Sequence, residues 1–79
     1  MSAVERITNG QQRRWAHSLF TIERTGEFIL TRFKESVTTS AILARNRIYQ
    51  QLAEHGWRRC DTAPDDTQDG WFAVLWQRA

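Results

Sequence analysis

The residues best suited to nucleophilic chemistry in this 79-residue chain are its single cysteine, Cys60, and its two histidines, His17 and His55. A thiol beside an imidazole base is the pair that thiol enzymes use for covalent catalysis. However, His55 lies where we expect a helix to end and Cys60 in the strand just beyond it, so structure alone explains both. One cysteine excludes an internal disulfide and a thiolate zinc cage. We therefore predict a non-catalytic protein of a reducing compartment, the cytoplasm, with no cofactor and no metal.

An aspartate-rich segment lies between residues 61 and 70. Asp65, Thr67, Asp69 and Gly70 match the opening half of a calcium-binding EF-hand loop. The glutamate that closes such a loop would fall at Trp76, so the set of ligands is incomplete. We interpret residues 62–70 as a solvated turn between two strands.

Arginine and tryptophan stand side by side at two places in the chain, residues 13–15 and 57–59. Proteins that bind single-stranded nucleic acid stack unpaired bases on aromatic rings and hold the phosphates with arginine. Against this, the formal net charge is only +2 and the sequence has no RNP-type aromatic motif. Single-stranded nucleic-acid binding is therefore the alternative hypothesis, with six candidate residues: Arg13, Arg14, Trp15, Trp57, Arg58 and Arg59.

The run QLAEHGW at residues 51–57, followed by a predicted hairpin, resembles the helix–glycine–aromatic–strand passage of the small bacterial RNA-cleaving toxins of the HicA kind. The resemblance is confined to this passage. Those toxins also carry a Gly-Ser-His segment on the next strand, and this sequence has none. Their RNA-cleaving activity is therefore not expected here.

Two runs rich in β-branched and aromatic side chains, residues 15–24 and 27–34, flank Thr25-Gly26. Glycine supplies the positive φ that a tight hairpin turn requires, so we predict a β-hairpin whose register pairs Ile22 with Ile29. Alternation along the strands then gives one face to the core. The core residues predicted from this hairpin are Phe20, Ile22, Ile29 and Phe33.

A helix is predicted to begin at a hydroxyl N-cap, Thr39 or Ser40, and to run to about Glu54. Its apolar stripe is formed by Ala41, Ile48 and Leu52. Gly56 falls at the position where a helix usually ends in a left-handed residue, which would place Trp57 against Leu52.

Arg45 interrupts this apolar stripe. We expect its aliphatic stem to lie along the edge of the core while the guanidinium reaches water or Glu23. The alternative is that Arg45 is the charged centre of a binding surface.

With further strands at residues 57–61 and 71–77, the pattern predicts a single α+β domain over residues 15–79. Its order is ββαββ: a four-stranded, mainly antiparallel sheet with one helix packed on one face. The first and last strands lie parallel at the centre in a grasp-like arrangement, or the two hairpins lie side by side as a meander. Residues 1–14 form a polar N-terminal tail or an extra edge strand that pairs across Asn9-Gly10.

One helix covers one face of a sheet, yet both faces of the predicted sheet carry apolar residues. An uncovered apolar patch usually marks an interaction site. We therefore predict a small protein–protein interaction module, an adaptor, regulator or accessory subunit, that docks through this face on another protein or on a second copy of itself. No apolar run is long enough to span a membrane, and no signal-peptide core follows Met1. The candidate residues for the protein contact through the uncovered face are Leu19, Phe28, Leu30, Arg32, Trp71 and Leu75.

Overall fold

The computed structural model describes residues 2–35, 38–60 and 70–79, which contain two helices and five strands. The predicted α+β class with an antiparallel sheet is confirmed, whereas the four-stranded ββαββ order is wrong in detail. In chain order the elements are α1 (Ala3–Thr8), β1 (Arg14–Ala16), β2 (Phe20–Thr25), β3 (Phe28–Lys34), α2 (Thr39–Glu54), β4 (Trp57–Arg59) and β5 (Trp71–Arg78).

The fifth strand arises because the predicted strand 15–24 is broken by a turn. The backbone N–H of His17 donates to the carbonyl of Phe20 at 2.8 Å, and the N–H of Leu19 donates to Nδ1 of His17 at 3.3 Å. The chain therefore reverses at residues 17–19, and β1 folds back antiparallel on β2 with Trp15 opposite Ile22. The side chain of His17 thus satisfies a backbone donor of the turn, which the strand pattern did not reveal.

Residues 3–8 form helix α1, where we had predicted a polar tail or an extra edge strand. The side-chain hydroxyl of Ser2 accepts a hydrogen bond from the N–H of Glu5, so Ser2 is the N-cap residue. At the other end Gly10 has φ +85°, and the N–H of Gln11 donates to the carbonyl of Arg6 at 2.9 Å. Asn9-Gly10 therefore ends a helix, as a Schellman motif does, and does not turn a hairpin.

The β2–β3 hairpin has the predicted faces but a register shifted by two residues. Arg24, not Ile22, lies opposite Ile29, because the two-residue turn is Gly26-Glu27. Gly26 has φ +58°, the positive φ that the first central position of a type II′ turn requires. A shift of two residues preserves the side-chain alternation, so the core residues expected from this hairpin still share one face.

The strand order is β1-β2-β3-β5-β4, with every neighbouring pair antiparallel. The grasp-like alternative is therefore wrong. The β2–β3 and β4–β5 hairpins lie side by side, as in the other alternative, but β5 rather than β4 is next to β3. Helix α2 thus connects β3 to β4 across the intervening strand β5.

Helix α2 ends as predicted, since His55 is its C-cap and Gly56 has φ +86°. Its N-cap is Thr38, next to the two predicted positions. Leu52 and Trp57 are both buried in the same core cluster.

The core lies between the sheet and both helices. At its centre the indole Nε1 of Trp76 donates to the hydroxyl of Thr31 at 3.0 Å, and that hydroxyl donates to the carbonyl of Val74 at 3.2 Å. A polar side chain in the middle of an apolar layer is thereby satisfied. Both helices contribute to this one cluster, so both lie on the same face of the sheet. Its buried apolar residues are Val4, Ile7, Ile22, Ile29, Phe33, Ile48, Leu52, Trp57 and Trp76.

Replacing Ile7 with alanine tests the packing of α1. Ile7 is completely buried, so we expect the free energy of unfolding to fall by about 2–4 kcal/mol. Tryptophan fluorescence during urea denaturation measures this change. Arg6→Ala, at an exposed position of the same helix, should change it by less than about 0.5 kcal/mol. Equal stabilities of the two variants would contradict the placement of α1 in the core.

Candidate functional site

The sheet has one surface turned away from both helices, which we call the open face. Along β3 the core-facing Ile29, Thr31 and Phe33 alternate with Phe28, Leu30 and Arg32, so these three side chains lie on the opposite surface. Strand register adds residues of the neighbouring strands. Among the described residues, the apolar and charged side chains of the open face are six apolar ones, Ala16, Phe28, Leu30, Trp71, Ala73 and Leu75, and five charged ones, Arg14, Glu23, Arg32, Lys34 and Arg58.

The centre of the open face is aliphatic. Leu30 and Leu75 are directly opposite each other on the two central strands, and Ala73 lies beside Arg32 in the next cross-strand pair. These residues and Trp71 are half-buried, and Phe28 is 41% exposed. In the described part of the chain, neither helix covers this apolar centre.

Among the residues that the structure describes, the border of the open face carries four cations and one carboxylate. Nη1 of Arg32 lies 3.8 Å from Oε2 of Glu23, and these side chains are 25% and 43% exposed. An ion pair this exposed contributes at most about 1 kcal/mol and exchanges partners readily. Arg14, Lys34 and Arg58 are exposed on the same surface. The open face therefore carries an excess of positive charge around its apolar centre.

The structure brings together five of the six residues predicted for protein contact: Phe28, Leu30, Arg32, Trp71 and Leu75. Leu19 is placed elsewhere. It precedes β2 in the turn after β1, and it lines a cavity on the helix side of the sheet. The face assigned to Leu19 was derived from a continuous strand 15–24, and the break at residues 17–19 removes that basis.

The six residues of the nucleic-acid hypothesis are not brought together. Trp57 is buried in the core, and Trp15 packs on Phe20 on the helix side with ring centroids 4.7 Å apart. Arg14 and Arg58 lie on the open face at opposite edges of the sheet, because β1 and β4 are its two edge strands. Arg13 is exposed just before β1. The two Arg/Trp runs therefore do not form a common stacking surface.

Several arginines on the helix side cover aromatic rings of the core. The guanidinium carbons of Arg24 and Arg78 lie 5.1 and 5.7 Å from the ring centroid of Trp57. Arg59 lies 5.1 Å from the ring centroid of Tyr49. These are cation–π distances, and the long side chains also screen the core from water. Part of the arginine content is thus explained by the packing of the protein itself.

The residues considered for catalysis lie apart. His17 is in the β1–β2 turn, at the opposite edge of the sheet from Cys60, which follows β4. Sγ of Cys60 lies 3.9 Å from Oε1 of Gln77, and His55 is exposed at the end of α2. The aspartate-rich segment lies outside the described residues. Within residues 2–35, 38–60 and 70–79, no three His, Cys, Asp or Glu side chains form a group that could hold a metal ion.

Comparisons with known proteins assign no family to this chain. No family model matches the sequence, and neither a curated protein nor a solved structure is significantly similar to it. None of the helices in the described part of the chain has the length and apolar character needed to cross a membrane.

The cavity that Leu19 lines was not predicted from the sequence. It lies beside the first turns of α2, where Ile42 and Leu43 are 38% and 61% exposed. Two features of the sequence are consistent with a site beside this part of α2. Ile42 and Leu43 flank the apolar stripe of the helix, and Arg45 interrupts that stripe. Glu23, offered above as a partner for Arg45, instead pairs with Arg32 on the open face.

The placement of Arg58 and Arg59 on opposite faces can be tested through Tyr49, the only tyrosine. Burial raises the pKa of Tyr49 above its ordinary 10.0, and the charges of Arg59 and Arg45 partly oppose this. We expect absorbance titration to show a midpoint above 10. Arg59→Gln should raise that pKa further, whereas Arg58→Gln should leave it unchanged. Equal midpoints in the two variants would contradict the assignment of faces.

The same raised pKa makes stability depend on pH. The folded protein keeps the phenol proton at pH values where the unfolded chain has lost it, so Tyr49 stabilises the fold below pH 10. That contribution is lost as the pH rises through the folded-state pKa. Urea denaturation at pH 9 and above should show this decline, and Tyr49→Phe should reduce it.

Proposed function

We propose that this chain is a small non-catalytic interaction module whose open face binds an acidic, apolar-centred surface of a partner protein. The observation that carries the proposal is the composition of that face: its described residues form an aliphatic centre bordered by four cations and one carboxylate, with both helices on the other side. An apolar surface enclosed by charge has the make-up of a specific protein contact, in which apolar burial supplies affinity and charge supplies orientation.

A protein partner fits the open face better than single-stranded nucleic acid does. Successive bases need aromatic rings on which to stack. The two aromatic residues of the face, Phe28 and Trp71, lie toward opposite ends of β3, opposite Gln77 and Lys34 respectively. The aliphatic pair Leu30–Leu75 lies between them. The positive border would hold phosphates, but the centre suits aliphatic and aromatic protein side chains.

A different protein fits better than a second copy of this chain. Two open faces in direct contact would bring the four described cations of one copy against the four of the other, with one described carboxylate on each side. Like charges held in an apolar contact repel strongly, because the local dielectric constant is low. An acidic partner turns the same border from a source of repulsion into a source of attraction. Homodimer formation through this face is accordingly an outcome that the experiment must distinguish.

Selection from a displayed library of random dodecamer peptides against the immobilised protein tests the proposal. We expect enrichment of peptides with aspartate or glutamate around two or three apolar residues, and binding that weakens as salt is added. Phe28→Asp places a carboxylate on the exposed ring position and should weaken these peptides at least tenfold, with circular dichroism showing an intact fold. The matched control is Leu43→Asp, a substitution of an exposed apolar residue on α2.

Several results would overturn the proposal. Peptides that bind Phe28→Asp as tightly as the unmodified protein would place the contact elsewhere. Binding of oligo(dT) or oligo(U), lost in Phe28→Asp and steeply salt-dependent, would support nucleic acid instead. A dimer in light scattering at high protein concentration, converted to monomer by Phe28→Asp, would make a second copy the occupant of the face.

A further inference from the structure

A cavity of about 300 Å³ lies on the helix side of the sheet, beside the N-terminal half of α2. Its volume is at the lower end of the roughly 300–1,000 Å³ usual for small-molecule sites. Phe20 and Phe33, whose ring centroids are 5.5 Å apart, form part of its lining, and Ala41 and Ala44 of α2 contribute small side chains. The cavity exists because α2 carries alanine at these positions, above a sheet that carries large aromatic rings.

Large apolar side chains remain exposed around this cavity. Ile42 and Phe72, which line it, are 38% and 49% exposed, and the adjacent Leu43 is 61% exposed. Only one other large apolar side chain in the described residues, Phe28, is comparably exposed. An occupant of the cavity would therefore bury apolar surface that the isolated chain leaves in contact with water.

Two cationic residues, Arg45 and Lys34, are among those that line the cavity, and Arg45 is the one on α2. Its guanidinium carbon is 5.9 Å from the ring centroid of Tyr49, and its Nε is buried without a hydrogen-bond partner. A buried donor left unpaired is unfavourable, because it has lost its hydrogen bonds to water. Ser40, in the first turn of α2, also lines the cavity, at the positive end of the helix dipole. No acidic side chain occurs among the described lining residues.

We infer that this cavity is a binding site for a small carboxylic acid with an apolar body, the chemistry of a medium-chain fatty acid or an aryl acid. The apolar body occupies the space between the phenylalanine rings and α2. The carboxylate accepts a charge-assisted hydrogen bond from the guanidinium of Arg45. The centre of this site and the centre of the open face lie on opposite surfaces of the sheet, although Lys34, at the end of β3, belongs to the border of both. Binding involves no covalent step.

Titration with octanoate, using 1-octanol as its uncharged counterpart, tests this inference. We expect octanoate to shift the backbone amide resonances of α2 residues 40–45 and of Phe72 in ¹H–¹⁵N spectra, and to bind about tenfold more tightly than 1-octanol. Arg45→Gln should remove that preference. The matched control Arg47→Gln, at an exposed position of the same helix, should keep it.

A cavity-filling variant keeps the test decisive if Arg45→Gln fails to fold. Ala41→Leu places a larger side chain in the cavity and should block octanoate and 1-octanol alike. Equal affinities of the two ligands for the unmodified protein would overturn the role of Arg45. Absence of binding, or shifts confined to the open face, would overturn the site itself. Neither result bears on the peptide selection, because Phe28→Asp leaves the cavity intact.

Discussion

The placement of both helices on one face of a five-stranded sheet is the constraint from which the other properties of this protein follow. Every buried apolar residue in the described part of the chain belongs to the single core under those helices. Nη1 of Arg24 fixes this arrangement at one end, because it donates to the carbonyls of Ile7 and Thr8 at the end of α1. The same guanidinium lies over Trp57, so one side chain joins α1, β2 and the core.

The chain has many arginines, and the structure divides them by environment. Those near aromatic rings pack against core residues and screen them from water, as Arg24, Arg59 and Arg78 do. Arg14 and Arg58 instead are exposed at the border of the open face, where Arg32 pairs with Glu23. This division explains why the two Arg/Trp runs do not form one binding surface: neighbouring residues of a strand lie on opposite surfaces of the sheet.

Structural features that depend on a short stretch of sequence were predictable. Features were not predictable where the same residues fit two different structures. The end of α2 at Gly56 and the faces of β2 and β3 follow from spacing alone. Asn9-Gly10 was ambiguous, since a glycine at positive φ ends a helix as readily as it turns a hairpin. The N-cap of Ser2, with Glu5 three residues on, and the spacing of Val4 and Ile7 would have indicated α1. The order of β4 and β5 depends on long-range packing, which no local signal encodes.

Arg45 connects the fold to the inferred carboxylate site. Helix spacing places it on the apolar stripe, and the burial of Ile48 and Leu52 shows that the phase of the helix is right. The sequence predicts that its guanidinium reaches water or Glu23, yet Glu23 pairs with Arg32 on the other surface of the sheet. A leucine here would extend the core at no electrostatic cost. A charged residue on the apolar stripe, whose buried Nε finds no acceptor, is consistent with a guanidinium that pairs with a carboxylate from outside the chain. The exposed ring of Phe72 at the same cavity also supports an external ligand, because an amphiphilic molecule would cover this ring and pair with the charge of Arg45.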